Sequence, residues 1–234
     1  MKLICLNLWG GVLYEPLKEF LLDNSDADIF CFQEILSAKS GMKFTKDFRQ
    51  DFLSELRQML PDFNDFFSAA NDNFGHAIFF RKGLEADSGF EVVHEGKEPV
   101  TDPETDLKRI LQYCRIGKLA IFNFHGFSSW PKVDTSERIS QSGNIIKIMD
   151  RFEEKKVLCG DFNVWQDTKS IGMIESRMRN LVRELGISTT RNADFSPDDR
   201  ISDYAFVSGN IKVKSFSVPD VKVSDHLPLI LEFE

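Results

Sequence analysis

Apolar and polar residues fall in blocks along this chain, dividing it into short strand-like runs and a few longer amphipathic ones. The first run, Lys2–Leu8, is mostly apolar and gives way at Asn7-Leu8-Trp9-Gly10-Gly11. Pro16–Asp23 then sets Leu17, Phe20 and Leu21 at helical spacing, with a proline near the first turn. Asp28–Glu34 predicts a second strand that ends in a carboxylate. The next helix is predicted from about Thr45 to Leu60, with Phe48, Phe52, Leu56 and Met59 on one stripe and Pro61 as its stop. Strands follow at Phe63–Ala69 and His76–Arg81 around a turn at Asn71-Asp72-Asn73. Phe90–His94 and Leu107–Ile116 flank a polar loop, and Leu119–Phe124 is a strand ending at His125-Gly126. Asp134–Phe152 predicts a helix: Asp134 with Glu137 matches a capping box, and Arg138, Gln141, Ile145, Ile148 and Phe152 step by three and four. Thr168–Gly186 is helical in pattern, residues 188–200 form a polar loop, and Ile201–Ser208, Lys212–Val218 and Leu227–Phe233 are the last strands. No repeat, low-complexity tract or linker interrupts the series. The expectation is one domain over residues 1–234, with mixed sheets and helices on their outer faces.

The stretch Lys156–Trp165 organises the rest. Lys156-Val157-Leu158-Cys159-Gly160 reads as a buried strand, followed at once by Asp161-Phe162-Asn163. In extended geometry Asp161 and Asn163 share a face at the strand's mouth, a carboxylate beside a carboxamide. Gly-Asp-Phe-Asn is equally a turn sequence, and both readings stand on this stretch alone. The other strand ends decide between them. Asn7, Glu34 and His125 also sit where apolar runs give out, and Asp203 and Asp225-His226 sit where runs begin. Between antiparallel neighbours, the end of one strand and the start of the next share an edge, so these groups converge on one rim. Carboxylates, imidazoles and carboxamides without a serine or cysteine nucleophile suit a hard divalent cation such as Mg²⁺, Mn²⁺ or Ca²⁺ rather than zinc. Glu34 with Asn7 suffices for Mg²⁺, which keeps several waters.

Composition adds three constraints. The formal charge of −8 argues against gripping duplex nucleic acid through bulk electrostatics. Cys5, Cys31, Cys114 and Cys159 have no zinc-type spacing and read as buried thiols in a reducing compartment. No window reaches transmembrane length, and the expectation is a soluble, cytoplasmic protein with no evident protein partner. The 22 phenylalanines predict thick aromatic packing layers.

Taken in order, Leu6-Asn7-Leu8-Trp9, Phe32-Gln33-Glu34, Asn123-Phe124-His125, Gly160-Asp161-Phe162-Asn163, Ser202-Asp203-Tyr204 and Ser224-Asp225-His226-Leu227-Pro228 carry a resemblance. They resemble the motif set of the endonuclease/exonuclease/phosphatase superfamily, the metal-dependent phosphoesterases related to DNase I, exonuclease III and the neutral sphingomyelinases. The resemblance implies a four-layer αββα sandwich: two mixed, mainly antiparallel sheets face to face, helices outside, and an active site at one edge. It further implies in-line attack of water on a phosphate ester. Asp161, supported by Asn163, is expected to orient or deprotonate the water. Glu34 and Asn7 are expected to carry Mg²⁺, with Mn²⁺ a plausible substitute, and Asp225 to join through a water. His226, oriented by Asp203, is expected to donate to the phosphoryl oxygen, and His125 to complete the pocket.

Two departures narrow the substrate: the chain lacks the long basic loops expected for gripping duplex DNA, and the other departure lies at His125. His125 stands where members acting on abasic sites have a tyrosine-and-asparagine arrangement, which favours a DNase- or sphingomyelinase-like pair of histidines. The expected substrate is a phosphodiester, possibly of single-stranded or nicked nucleic acid. The alternatives are a phosphatase, a phospholipid-headgroup phosphodiesterase, or an inactive phosphate-binding module. Trp9, Trp165 and Trp130 all fall beside motif residues and suggest an aromatic rim. Arg138 is expected at the site's edge, meeting either substrate phosphate or a structural carboxylate. His76 and His94 read as ordinary surface or core residues.

Overall fold

The computed structural model describes residues 1–42, 44, 47–97, 100–101, 105–195 and 199–234. Its first half runs β1 (Lys2–Asn7), a 3₁₀ turn (Trp9–Gly11), α1 (Tyr14–Asp23), β2 (Ile29–Leu36), α2 (Phe52–Met59), β3 (Phe63–Asn71) and β4 (Phe74–Arg81). The second half adds β5 (Asp87–His94), β6 (Arg109–Ile116), β7 (Leu119–His125), α3 (Ser136–Met149) and β8 (Lys155–Asp161). It continues with α4 (Lys169–Glu175), β9 (Arg179–Asn180), α5 (Leu181–Glu184), β10 (Asp203–Val207), β11 (Val213–Ser217) and β12 (Leu229–Phe233).

Among the described residues these strands make two six-stranded sheets, ordered β11-β12-β1-β2-β4-β3 and β5-β6-β7-β8-β10-β9. Each sheet has a single parallel pair at its centre, β1 with β2 and β7 with β8, and every other pairing is antiparallel. In each parallel pair a helix, α1 or α3, lies between the two paired strands, as a parallel crossover requires.

Alternation within the strands builds the layers. Leu3, Cys5, Ile29 and Cys31 face Ile121, Val157, Cys159 and Ala205 across the space between the sheets. Ile4, Leu6, Phe30 and Phe32 face outward under α1 and α2, where Leu17, Leu21, Phe52 and Leu56 cover them. Phe122, Phe124, Leu158, Tyr204 and Phe206 likewise lie under α3 and α4, against Ile145, Ile171 and Ile174. The result is the four-layer αββα arrangement expected of the sequence. All four cysteines are buried and unpaired with one another.

The inter-sheet layer also holds a polar chain close to the sheet edge. Gln33 donates to Asn123 Oδ1 at 2.6 Å, and Asn123 donates to Gln112 Oε1 at 3.1 Å and to the carbonyls of Phe32 and Ala77. Gln112 in turn donates to the Phe66 carbonyl and the Ser68 hydroxyl. Buried amides satisfied in this way fix the sheets' relative register, because any slip leaves several of them unpaired.

Four local expectations need correction. The helix expected from about Thr45 begins only at Phe52, because Asp51 adopts a left-handed backbone (φ 55) just before it. Phe48 stacks on Phe44 instead of joining the helical stripe, and Thr45 and Lys46 lie outside the described residues. Asp134 does not cap α3; Thr135 does, accepting from the Arg138 N–H. Asp134 instead accepts from the N–H groups of Lys169 and Ser170 at the start of α4, fastening that helix to the loop before α3. Finally, Thr168–Gly186 breaks in two. Arg179 and Asn180 pair with β10, and the Asn180 side chain caps α5 by accepting from Val182 and Arg183.

Candidate active site

The strand ends converge as the sequence suggested, but two of them by local geometry that periodicity does not reveal. β2 does not stop at Glu34. Its pairing with β4 shifts register between Phe32 and Ile35, and Glu34 takes a φ of 60. Such a bulge re-aims one side chain without ending the strand: Gln33 points into the inter-sheet amide chain and Glu34 into the cleft. β8 ends at Asp161 and the chain turns at once, Asn163 having a φ of 52. Asp161 Oδ1 accepts from the backbone N–H of Asn163 at 2.8 Å, so the stretch is a turn after the strand and the two side chains do not share an extended face. Gly160 before it has no alternative. With φ 142, an added Cβ would lie 1.9 Å from the Phe124 carbonyl oxygen.

Asn7 sits at the centre of the oxygen-rich corner. Its amide donates to Glu34 Oε1 at 2.9 Å and to Asp161 Oδ2 at 3.3 Å, while its oxygen accepts from the Trp9 N–H. His125 Nε2 lies 3.7 Å from Glu34 Oε1 and 3.8 Å from Asp161 Oδ2. On the other side, His226 Nε2 is 3.5 Å from Asp161 Oδ2, and its Nδ1 is 2.9 Å from Asp203, whose Oδ2 also accepts from Thr190. Ser224 ties this segment down by donating to the Asn7 carbonyl at 2.7 Å. Glu34, Asn7, His125, Asp161, Asp203, Asp225 and His226 thus gather in one cluster, which Asn163 joins through its backbone N–H.

Burial and charge give these groups distinct electrostatics. Burial, then the neighbouring Asp225 carboxylate, raises Glu34 to about 7. Burial also tends to raise Asp161, but His226, Lys132, His125 and Arg191 outweigh it and hold the carboxyl below the usual range. Burial raises Asp203. For His125, burial and then Arg109 push the imidazole well below its ordinary value. Burial and Arg191 push His226 down as well, but Asp203, Asp225 and Asp161 prevail and its value is raised.

The donor chemistry fits a hard divalent cation at the Glu34–Asn7–Asp225 corner. Glu34 is driven toward protonation by burial and by the neighbouring Asp225, a shift that a bound cation would reverse. Asp161, Asp203 and His226 also lie within 4.8 Å of one another. There, however, Nδ1 of His226 is already engaged by Asp203, the arrangement of an oriented imidazole rather than of an ion cage.

Other expected residues fall outside the cleft's floor. Trp130, 62 % exposed, packs edge-on against Trp165 with ring centroids 5.5 Å apart, and Trp9 packs on Phe195 at 5.1 Å. Arg138 is corrected: its buried guanidinium donates to the carbonyls of Ser129, Pro131 and Val133, taking up a loop instead of meeting phosphate or a carboxylate. His94 packs on Phe127. His76 is a core residue, packed against the His125 ring at 5.9 Å; burial lowers it to about 3.

Three charged residues went unseen in the sequence: Lys132, Arg191 and Asp199. Arg191 contacts His226 Nε2 and donates to Asp225 Oδ2 at 2.9 Å. Its only sequence signal was a position in the polar loop 188–200, ahead of Asp203.

The family model described as the Endonuclease/Exonuclease/phosphatase family matches residues 5–226. The chain belongs to this family. It is accordingly a hydrolase of the phosphoesterase superfamily. Among solved structures, it is similar to an endonuclease/exonuclease/phosphatase from Bacteroides vulgatus, with 20 % identity, TM-score 0.76, and 100 % of this chain and 98 % of that chain covered. A mannosyl-6-phosphatase from Bacteroides thetaiotaomicron is similar at 20 % identity and TM-score 0.76, covering 100 % and 99 % of the two chains. TDP2 of D. rerio, complexed with single strand DNA product, is similar at 13 % identity and TM-score 0.69, covering 100 % and 98 %. At these identities the likenesses concern the fold. No curated protein matches the sequence. No described helix is long and apolar enough to cross a membrane.

Proposed function

We propose that this family member is a divalent-metal-dependent phosphodiesterase that cleaves a nucleic-acid strand, single-stranded or nicked, by in-line attack of water. One observation carries the reading: a hard-oxygen corner (Glu34, Asn7) and an oriented imidazole (His226 on Asp203) flank the same carboxylate, Asp161. An ester phosphorus held between them has charge compensation on one side and a proton donor on the other.

Against the effect of burial, His226 and the neighbouring cations hold the Asp161 carboxyl below the usual range, so it is ionised near neutral pH. Asp161 orients the attacking water, accepting its proton as the bond to phosphorus forms. Its Oδ1 is held by the Asn163 N–H, which leaves Oδ2 directed into the cleft. Glu34, Asn7 and Asp225 would hold Mg²⁺ or Mn²⁺. Bound there, the ion supplies charge neutralisation at a non-bridging oxygen and at the leaving oxygen. Asp203 engages His226 Nδ1 and fixes the ring, so Nε2, which Arg191 contacts in the free protein, is the nitrogen that meets the phosphoryl oxygen when substrate binds. His125 lines the opposite wall.

The nucleic-acid assignment draws support from the aromatic pairs Trp130–Trp165 and Trp9–Phe195 at the rim, surfaces on which unpaired bases stack. The chain's charge of −8 disfavours a duplex, which needs an extended basic face. A substrate panel tests the proposal: single-stranded and nicked oligonucleotides, sugar phosphates, phospholipid vesicles and bis-p-nitrophenyl phosphate, each with Mg²⁺ or Mn²⁺ and with Asp161→Ala as control. Single-stranded cleavage should lead, and Asp161→Ala should lose ~10²–10⁴ in rate while remaining folded. Preference for a sugar phosphate or a lipid headgroup, or turnover that survives thorough chelation, would sink the assignment.

A further inference from the structure

Beside the hydrolytic cluster, one carboxylate lies in a cradle of donors. Asp199 is 7 % exposed, and its Oδ2 is 2.5 Å from Lys132 Nζ and 3.4 Å from Arg191 Nε. Its Oδ1 accepts from the indole N–H of Trp165 at 3.3 Å. Lys132 comes from the segment between β7 and α3, Trp165 from the turn after β8 and Arg191 from the loop before β10. Three separate stretches of chain therefore aim an ammonium, a guanidinium and an N–H at a single anion.

The cradle is built, not incidental. Lys132 and Arg191 are 8 % and 9 % exposed. The Lys132 segment is held on both sides, because Arg138 grips the carbonyls of Pro131 and Val133. Its own carbonyl accepts from the Trp165 backbone N–H at 2.8 Å. Arg191 faces two ways. One edge of the guanidinium meets Asp199, and the other meets Asp225 and His226 in the cluster where the ester is cut.

We propose that Lys132, Arg191 and the Trp165 indole form a second phosphate subsite, filled in the free protein by Asp199, that takes a substrate phosphate other than the scissile one. The inference rests on the phosphoesterase reading of the neighbouring cluster and adds a substrate class: two phosphates close together along one chain. Ammonium, guanidinium and neutral N–H donors are the groups that bind phosphate oxygens. A carboxylate offers the same kind of acceptor with less charge, so it acts as an internal substitute that phosphate displaces. On a chain of net charge −8, this local pair of cations supplies the attraction that the surface at large does not. Trp130, exposed and seated on Trp165, stands where a base attached to that phosphate can stack.

Binding of inorganic phosphate to the full chain in EDTA, followed by isothermal titration calorimetry, tests the cradle without turnover. The carboxylates of the metal-free cluster repel the anion, so the heat reports the cations. Saturable binding should weaken about tenfold in Lys132→Gln and tighten in Asp199→Asn, which keeps the shape and removes the competing charge. Should Lys132→Gln not melt cooperatively, Trp165→Phe, which removes only the indole donor, should weaken binding in the same direction.

Kinetics with Mg²⁺ then compare a dinucleotide carrying only its scissile phosphate, the same dinucleotide with a terminal phosphate, and a trinucleotide with two internal phosphates. Asp199→Asn should widen the kcat/KM preference for one of the latter two over the first, and whichever responds identifies the source of the second phosphate. Phosphate binding indifferent to these substitutions, or an unchanged preference ratio, would overturn the subsite and leave the ion pairs purely architectural. Lys132-dependent phosphate binding by a protein that hydrolyses nothing would refute the hydrolytic reading alone. Full activity without that dependence would refute the subsite alone.

Discussion

The two sheets follow one plan and supply different chemistry. Each has six strands with a single helix-linked parallel pair at its centre. The sheet containing β1 and β2 delivers Asn7 and Glu34, and the approach to its β12 delivers Asp225. These are oxygen-bearing groups suited to an ion. The sheet containing β7, β8 and β10 delivers His125, Asp161 and Asp203, the groups assigned to proton handling in the proposed reaction. His226 crosses the divide, leaving the first sheet's β12 approach to bond with Asp203 of the second. Neither sheet alone assembles the proposed site, so the inter-sheet layer that sets their spacing bears on its chemistry.

The division should show first in catalysis. His226→Ala, on the proton-handling side, should lose ~10²–10⁴ in kcat at any metal concentration, measured on the preferred substrate with protein verified as folded. Glu34→Gln, on the ion side, should lose less, on the order of a hundredfold, and regain part of it at raised Mn²⁺. Equal rescue of both variants by metal would erase the distinction between the sheets.

The same Glu34 variant has a stability signature. In the metal-free protein burial and Asp225 raise Glu34 from the ordinary 4.5 to about 7. The folded state then binds more protons than the unfolded chain between those values, so stability falls as pH rises through that window, by about 3 kcal/mol. Mg²⁺ should restore it above pH 7 through mass action on the ionised form, and Glu34→Gln should flatten the metal-free profile. Thermal melts across pH 4 to 8 with and without Mg²⁺ check both statements; a metal-free profile of equal slope in wild type and variant contradicts them.

Asn123 tests the layer between the sheets. Asn123→Leu removes the partner of Gln33 Nε2, Gln112 Oε1 and the Phe32 and Ala77 carbonyls. At roughly 1–3 kcal/mol for each buried orphan, urea unfolding should register a loss of about 3 kcal/mol or more. Activity per folded molecule should also fall, because Gln33 adjoins the bulge that aims Glu34. The smallest effect belongs to the rim. Trp130→Ala should raise KM for single strands severalfold, within the ~1–3 kcal/mol of one stacked base, with kcat little changed. An unmoved KM would remove base stacking from the account.

Much of this molecule was legible in the amino-acid order because it follows local periodicity. Alternation in Leu3–Leu6 and Ile29–Phe32, the helical stripe of Ile145 and Ile148, and the polar residues at strand mouths all depend on near neighbours in the chain. So did the family resemblance, since its motifs are those same strand ends. What periodicity does not carry is backbone that departs from regular geometry. The bulge that turns Glu34 into the cleft and the left-handed Asn163 that ends β8 arise from pairing with other strands and from a side chain bonding its own backbone.

Partnerships between distant loops were equally hidden. Nothing near Arg191 in sequence indicates Asp225 and His226, and nothing near Lys132 indicates Asp199, because those contacts exist only once β7, β8, β10 and β12 have brought their loops to one edge. The amino-acid order alone determined which groups arrive at the rim. Tertiary structure decided which carboxylate faces which cation, since the energy of a buried charge is set by whatever surrounds it in space.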